Sequence, residues 1–127
     1  KSIIHNKKLH IYGNDYKTHD GTCIRDFVHV NDIADAHLLA VEHLLNKKTS
    51  DDFNIGSGTG YSILEIVNEI EFILGKKVKL SFLPRRTGDA DCLVASIKKA
   101  KETLGWRPIC SDLNTILNTA INWEKKK

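Results

Sequence analysis

The apolar positions of the chain change period several times, and each change marks an element. Residues 9–12 form a short apolar run closed by Gly13, the pattern of a strand, and 14–21 is a polar loop of turn residues. From 23 to 30, Cys23, Ile24, Phe27, Val28 and Val30 make a β-branched and aromatic run that reads as a second strand. Arg25 and Asp26 lie inside it, on opposite faces by the period of two, so one of them points inward. Asn31 or Asp32 is the expected N-cap of an apolar helix over 33–45, with Asp32 and Asp35 in the first turn, where the helix dipole favours acids. Its apolar residues, among them Leu38, Val41 and Leu45, occupy more of the circumference than one-sided packing can bury.

Beyond a polar linker at 46–52, a brief strand at 53–55 is expected to feed Gly56, Gly58 and Gly60. Ser62 and Glu65 have capping-box spacing, and Ile63, Ile66, Val67, Ile70, Ile73 and Leu74 then recur at helical period until Gly75. Val78, Leu80 and Phe82 alternate with polar residues, a half-buried strand that delivers 84–89 to a loop. Ser96 is the expected cap of a short helix through Leu104, with Gly105 as its stop. Trp106-Arg107-Pro108 reads as an extended turn. A last helix follows Ser111, with Leu113, Ile116, Leu117, Ala120 and Trp123 on one face. The sum is α/β, with short strands and about four helices, in one domain's worth of chain at 127 residues.

Composition narrows the chemistry. The net charge of +3 is scattered over lysine pairs and the lysine tail, a solvated surface rather than a nucleic-acid stripe. No apolar run has membrane length, and the three cysteines are odd in number and lack C-x-x-C spacing, as expected of reduced cytoplasmic thiols. The six histidines show no metal-ligand spacing, and there is no G-x-S-x-G nucleophile turn. His29 reads as a hydrogen-bonded core histidine. The G-x-G-x-G run could cradle phosphate at a helix N-terminus, but it lacks the third step of the dinucleotide fingerprint, so a structural turn is the expectation. Only four of the nineteen basic residues are arginine, and three of them fall in two motifs, Arg25 in its strand and Arg85-Arg86 in the 84–89 loop. Arg25 and Asp26 could be a structural pair, and the loop an ordinary exposed turn. Read together, the two loci form one anion site, because the guanidinium fork grips phosphate with paired hydrogen bonds.

The stretch DGTCIRDFVHVNDIADAH at 20–37 resembles the signature region of UDP-glucose 4-epimerases, in the extended short-chain dehydrogenase/reductase superfamily. The likeness continues in order through LHIYGNDY, FNIGSGTGYS, PRRTGD, LGWRP and NWEKK, over essentially the whole chain. It implies the C-terminal nucleotide-sugar-binding portion of the fold, with the N-terminal Rossmann half absent: no G-x-x-G-x-x-G and no Tyr-x-x-x-Lys is present. A chain starting at lysine inside such a pattern is expected to be a fragment or truncated product, 1–127 being a single partial domain and inactive alone.

By matching motif positions, the resemblance implies that Arg25 and Arg86 hold the diphosphate of a UDP-sugar and that Asp89 accepts hydrogen bonds from the ribose hydroxyls. His10, Ile11 and Tyr12 would line the uracil, and Leu93, where tyrosine fills the space of an N-acetyl group, would face the sugar. Ser96 stands where the family usually shows aspartate. The implied activity is interconversion of UDP-glucose and UDP-galactose through transient C4 oxidation by NAD, held by the missing half, in galactose metabolism. UDP-N-acetylhexosamines are further candidate substrates. The intact protein would be a cytoplasmic homodimer with no nucleic-acid or membrane partner. The alternatives are another nucleotide-sugar dehydratase or decarboxylase of the superfamily, and a non-catalytic nucleotide-sugar-binding module.

Overall fold

The computed structural model describes residues 3–5 and 7–126; Lys1 and Lys127, the ends discussed above, lie outside them. Five short strands and four helices follow in the order β1 (Leu9–Tyr12), β2 (Ile24–Asp26), α1 (Val30–Lys47), β3 (Gly60–Ser62), α2 (Ile63–Leu74), β4 (Leu80–Leu83), β5 (Cys92–Leu93), α3 (Lys98–Leu104) and α4 (Leu113–Lys125). The strands make two small sheets. One is the parallel pair β1–β4; the other has the order β3-β2-β5, with β3 antiparallel and β5 parallel to β2.

The second strand is shorter than the sequence pattern predicts, because the chain leaves the ladder after Asp26 and turns into α1. The helix cap differs as well. His29, rather than Asn31 or Asp32, is the N-cap, its Nδ1 accepting the Asn31 N–H at 3.1 Å. That bond leaves the ring proton on Nε2, 3.0 Å from the Thr119 hydroxyl on α4, so His29 is the hydrogen-bonded core histidine expected. Asp32 is instead fully buried and turned towards distant chain. Its carboxylate accepts the N–H groups of Ile109 and Cys110, each at 3.0 Å in its shorter contact, and the Ser111 hydroxyl. The Trp106 indole N–H donates to the Asp32 carbonyl at 2.9 Å. A buried carboxylate is tolerated when donors replace its water, and here the donors fix the 106–111 turn against α1.

Trp106, Ala36, Ile97 and Ala100 form the buried cluster, with Leu39, Phe53, Ile55, Ala95 and Leu104 packed on it. Phe53 and Ile55 therefore owe their apolar character to this core. The expected strand at 53–55 does not form; the next strand of the chain is β3, which begins at Gly60 and pairs with β2. Ser96 does not cap α3; Ile97 does, without a side-chain bond, and its burial fixes the helix start. The Ser62–Glu65 capping box and the terminal glycines Gly75 and Gly105 are as predicted. Helix α2 packs against α4, where Leu117 and Ile121 are buried while Trp123 stays exposed.

The surplus apolar surface of α1 is real. Leu38, Val41 and Leu45 are 64%, 55% and 70% exposed, at spacings that put them on one face. A hydrophobic fluorescent dye is expected to bind the folded 127-residue chain. The double substitution Leu38→Lys/Val41→Lys should remove most of the enhancement while changing stability by no more than about 0.5 kcal/mol. Equal dye fluorescence in parent and variant would show that this face is not the binding surface.

Candidate functional site

Asp26 is the inward member of the Arg25–Asp26 pair. Its Oδ1 accepts the Ser57 N–H at 2.7 Å and the Ser57 hydroxyl at 2.6 Å; its Oδ2 accepts the N–H groups of Gly58 and Ala95, each at 3.1 Å. One carboxylate thus gathers the glycine turn and the segment after β5. Burial pushes its pKa up, but the hydrogen bonds from Ser57, Ala95 and Gly58 outweigh burial and hold the carboxyl below its ordinary value. Gly56 permits this approach: a Cβ there would lie 2.4 Å from Asp26 Oδ2 and 2.7 Å from Ala95 Cβ. The turn is structural, as expected. The N–H groups of Ser57 and Gly58, which a phosphate cradle would present, point at Asp26 instead, so this turn does not fit a dinucleotide pyrophosphate.

With Asp26 turned in, Arg25 projects from the other face of β2. Its Nη1 donates to the carbonyls of Ile24 at 2.8 Å and Ala90 at 2.9 Å, and its Nη2 stands 3.5 Å from Asp89 Oδ1. Leu93 is the register partner of Arg25 in the parallel ladder and is 56% exposed. Both line an open cleft of about 540 Å³, with Asp26, Phe53, Asn54 and Ile55 on its walls. The structure therefore joins Arg25, Asp89 and Leu93, residues that come from two motifs more than 60 positions apart.

The other expected residues sit at the β1–β4 sheet. Arg86 stacks its guanidinium 3.7 Å from the centre of the Tyr12 ring and makes no ion pair among the described residues. Asp89 closes the loop through its N–H to the Arg86 carbonyl at 3.2 Å, which links this group to Arg25. The N–H groups of Leu9 and Gly13 bond to carbonyls alongside β4, so the alternating pattern of a parallel pair turns the backbone of His10 and Tyr12 towards the free edge. Ile11 offers less than expected, since its side chain is buried and its backbone faces the ladder. These residues do not line the Arg25 cleft itself.

Only the family resemblance, and no local pattern of residues, separates Arg85 from Arg86 in the sequence. Arg85 is held by Asp15, Asp91 and the Tyr16 ring, partners that no local pattern reveals. Nor does the sequence reveal β5, whose two residues are too few for a period. Among the described residues no group of three His, Cys, Asp or Glu side chains is placed to hold a metal ion, and no helix is long and apolar enough to cross a membrane.

A model of the NAD dependent epimerase/dehydratase family matches residues 1–56. A UDP-glucose 4-epimerase from Lacticaseibacillus casei is 48% identical over 92% of this chain. Over nearly its whole length the chain is similar to UDP-glucose 4-epimerases. It spans about a third of their length, 35% in the case of the L. casei enzyme. Two solved structures carry the likeness into three dimensions. The UDP-glucose-4-epimerase from Stenotrophomonas maltophila, with bound NAD and formylated UDP-arabinopyranose, has a TM-score of 0.88 at 36% identity, over 94% of this chain and 35% of that one. The UDP-Glc/GlcNAc 4-epimerase from Campylobacter jejuni has a TM-score of 0.85 at 40% identity, over 99% of this chain and 39% of its own. The mixed α/β fold of short strands and four helices is that of the corresponding part of these epimerases.

The carboxylate at the centre of the site sets a pH dependence. The folded pKa of Asp26 is depressed, so its contribution to stability is complete above the unfolded value of about 3.9 and is lost as pH falls through the lower folded value. Asp20, lowered against burial by hydrogen bonds from Ser62 and Thr22, acts in the same direction. Thermal melts taken downwards from pH 5 should show the parent losing stability below about pH 4, with Asp26→Asn giving a shallower slope. Parallel slopes for parent and variant would contradict the hydrogen-bonded carboxylate.

Proposed function

We propose that this chain is the UDP-sugar-binding part of an enzyme that interconverts UDP-glucose and UDP-galactose through transient oxidation at C4. The observation that carries this reading is that Arg25, which lines one cleft with Leu93, also reaches Asp89, with Arg86 tied to Asp89 through the backbone of the same loop. A diphosphate needs more than one cation, and Arg25 and Arg86 supply two. Arg86, stacked on Tyr12 and without a carboxylate partner among the described residues, keeps its charge for such an anion. Asp89 accepts hydrogen bonds from the ribose hydroxyls. The uracil lies along the free edge of β1, against the backbone of His10 and Tyr12 and the Tyr12 ring, with Ile11 behind it.

NAD would supply the hydride chemistry at C4, held outside residues 1–127, since the glycine turn of this chain serves Asp26. We read 1–127 as a single partial domain without activity by itself. The free thiols of Cys23, Cys92 and Cys110 fit a cytoplasmic enzyme, and we read the intact protein as a homodimer.

Calorimetric titration of UDP into the protein expressed from its own reading frame tests the anion site. Arg25→Ala and Arg86→Ala should each weaken binding by roughly 1.5–3 kcal/mol, the scale of a charge-assisted hydrogen bond, while Arg107→Ala should change little. Equal small effects at all three positions would remove the reading.

Leu93 extends the proposal to substrate range. An acetamido group forced into a packed pocket costs about 1–3 kcal/mol, a discrimination of several-fold to a hundred-fold, and leucine leaves room where tyrosine would not. UDP-N-acetylhexosamines are therefore proposed substrates, in keeping with the likeness to the C. jejuni UDP-Glc/GlcNAc 4-epimerase. Leu93→Tyr should suppress turnover of UDP-N-acetylglucosamine selectively. A ratio of kcat/KM for the two substrates that does not change would place Leu93 outside the sugar pocket.

A further inference from the structure

The consecutive arginines of the 84–89 loop have opposite surroundings. Arg85 lies over the Tyr16 ring, 4.1 Å from its centre. Its Nε donates to Asp15 Oδ1 at 2.7 Å, its Nη2 to the Asp15 carbonyl, and its Nη1 stands 3.5 Å from Asp91 Oδ1. Asp91 in turn accepts the Lys17 N–H at 3.3 Å. The hydrogen bond between Arg85 and Asp15 lowers the carboxyl pKa and raises that of the guanidinium. Gly13 makes room for the stack: with φ at +87°, a Cβ would fall 2.4 Å from the Tyr16 ring and 2.8 Å from Arg85 Cγ. Tyr16 is buried, and its hydroxyl has no hydrogen-bond partner among the described residues, so packing rather than polar bonding holds the ring.

We propose that Arg85 is a positioning residue: it clamps the 84–91 loop to the 13–17 loop and so sets where Arg86 and Asp89 stand, without touching the ligand. The inference rests on the UDP-sugar reading of that site. The loop joins β4 in one sheet to β5 in the other, and two guanidinium groups hold it between them, Arg25 from β2 and Arg85 from within the loop. Each nitrogen of the Arg85 fork already faces an acceptor. An anion brought beside it would meet the carboxylates of Asp15 and Asp91, so Arg85 is unsuited to be a ligand. A lysine could keep the charge but neither the ring stack nor the paired bonds.

UDP affinity of the protein expressed from its own reading frame provides the test, in Arg85→Ala, Arg86→Ala, the double variant and Asp15→Asn. Arg85→Ala should weaken UDP roughly 5–20-fold, and Arg85→Lys should recover only part of the loss. The double variant should lose less than the product of the two single effects, because Arg85 acts through Arg86 and Asp89. Asp15→Asn, which removes a clamp partner and leaves the loop sequence intact, should weaken UDP in the same direction and carries the test if Arg85→Ala melts below the assay temperature. Strictly multiplicative losses would mean that Arg85 contacts the ligand, and unchanged affinity in Arg85→Ala and Asp15→Asn would mean that the clamp does not matter; either overturns the proposal. If Arg86→Ala and Arg25→Ala also leave UDP binding unaltered, the UDP-sugar reading itself fails, and this inference with it.

Discussion

A carboxylate removed from water must find donors elsewhere, and in this chain backbone N–H groups are the main source. Asp20, Asp26 and Asp32, spaced six apart in one stretch, each find donors, backbone N–H groups chiefly for Asp26 and Asp32 and hydroxyls chiefly for Asp20. Asp20 takes the N–H and hydroxyl of Thr22 and the Ser62 hydroxyl; Asp26 takes the glycine turn and Ala95; Asp32 takes the turn at 109–111. Neither Asp26 nor Asp32 has an ion-pair partner among the described residues, so their charge is balanced by dipoles fixed in direction, which specify geometry more narrowly than a mobile lysine would. The inward turn of Asp26 also decides where Arg25 goes. Everything proposed for the ligand follows from that choice of face.

The two sheets divide the work at the site. The β1–β4 pair offers a free backbone edge and an aromatic ring under a cation; the β3-β2-β5 sheet offers Arg25 and Leu93 at an open cleft. The segment from 84 to 91 runs from one to the other, and its residues are tied to both sides, by Arg85 to the 13–17 loop and by Ala90 and Asp89 to Arg25. An extended ligand with a base at one end and a sugar at the other suits such a divided surface, because each half can be recognised by a different sheet.

What the sequence makes legible is what depends on neighbours a few positions away. The capping box at Ser62, the glycine stops at Gly75 and Gly105 and the apolar period of α2 are all local, and all are found in the structure. Asp32 misleads because a first-turn acid and a tether to residues 77 positions away look the same in a line of letters. Phe53 and Ile55 mislead because an apolar pair at a core and one in a strand are likewise indistinguishable without partners. The family likeness located Arg86 rather than Arg85, but the reason for the choice, one guanidinium neutralised and the other not, exists only in three dimensions.

The bonds that assemble the site share one further property. Asp26 reaches Ser57 across 31 positions and Ala95 across 69; Arg25 reaches Asp89 across 64; Arg85 reaches Asp15 across 70. Each such closure orders a long stretch of chain before it returns any energy, whereas a helical hydrogen bond spans only four residues. The site exists only where all of these long closures are made together, so a helical spectrum by itself does not report whether the site is formed.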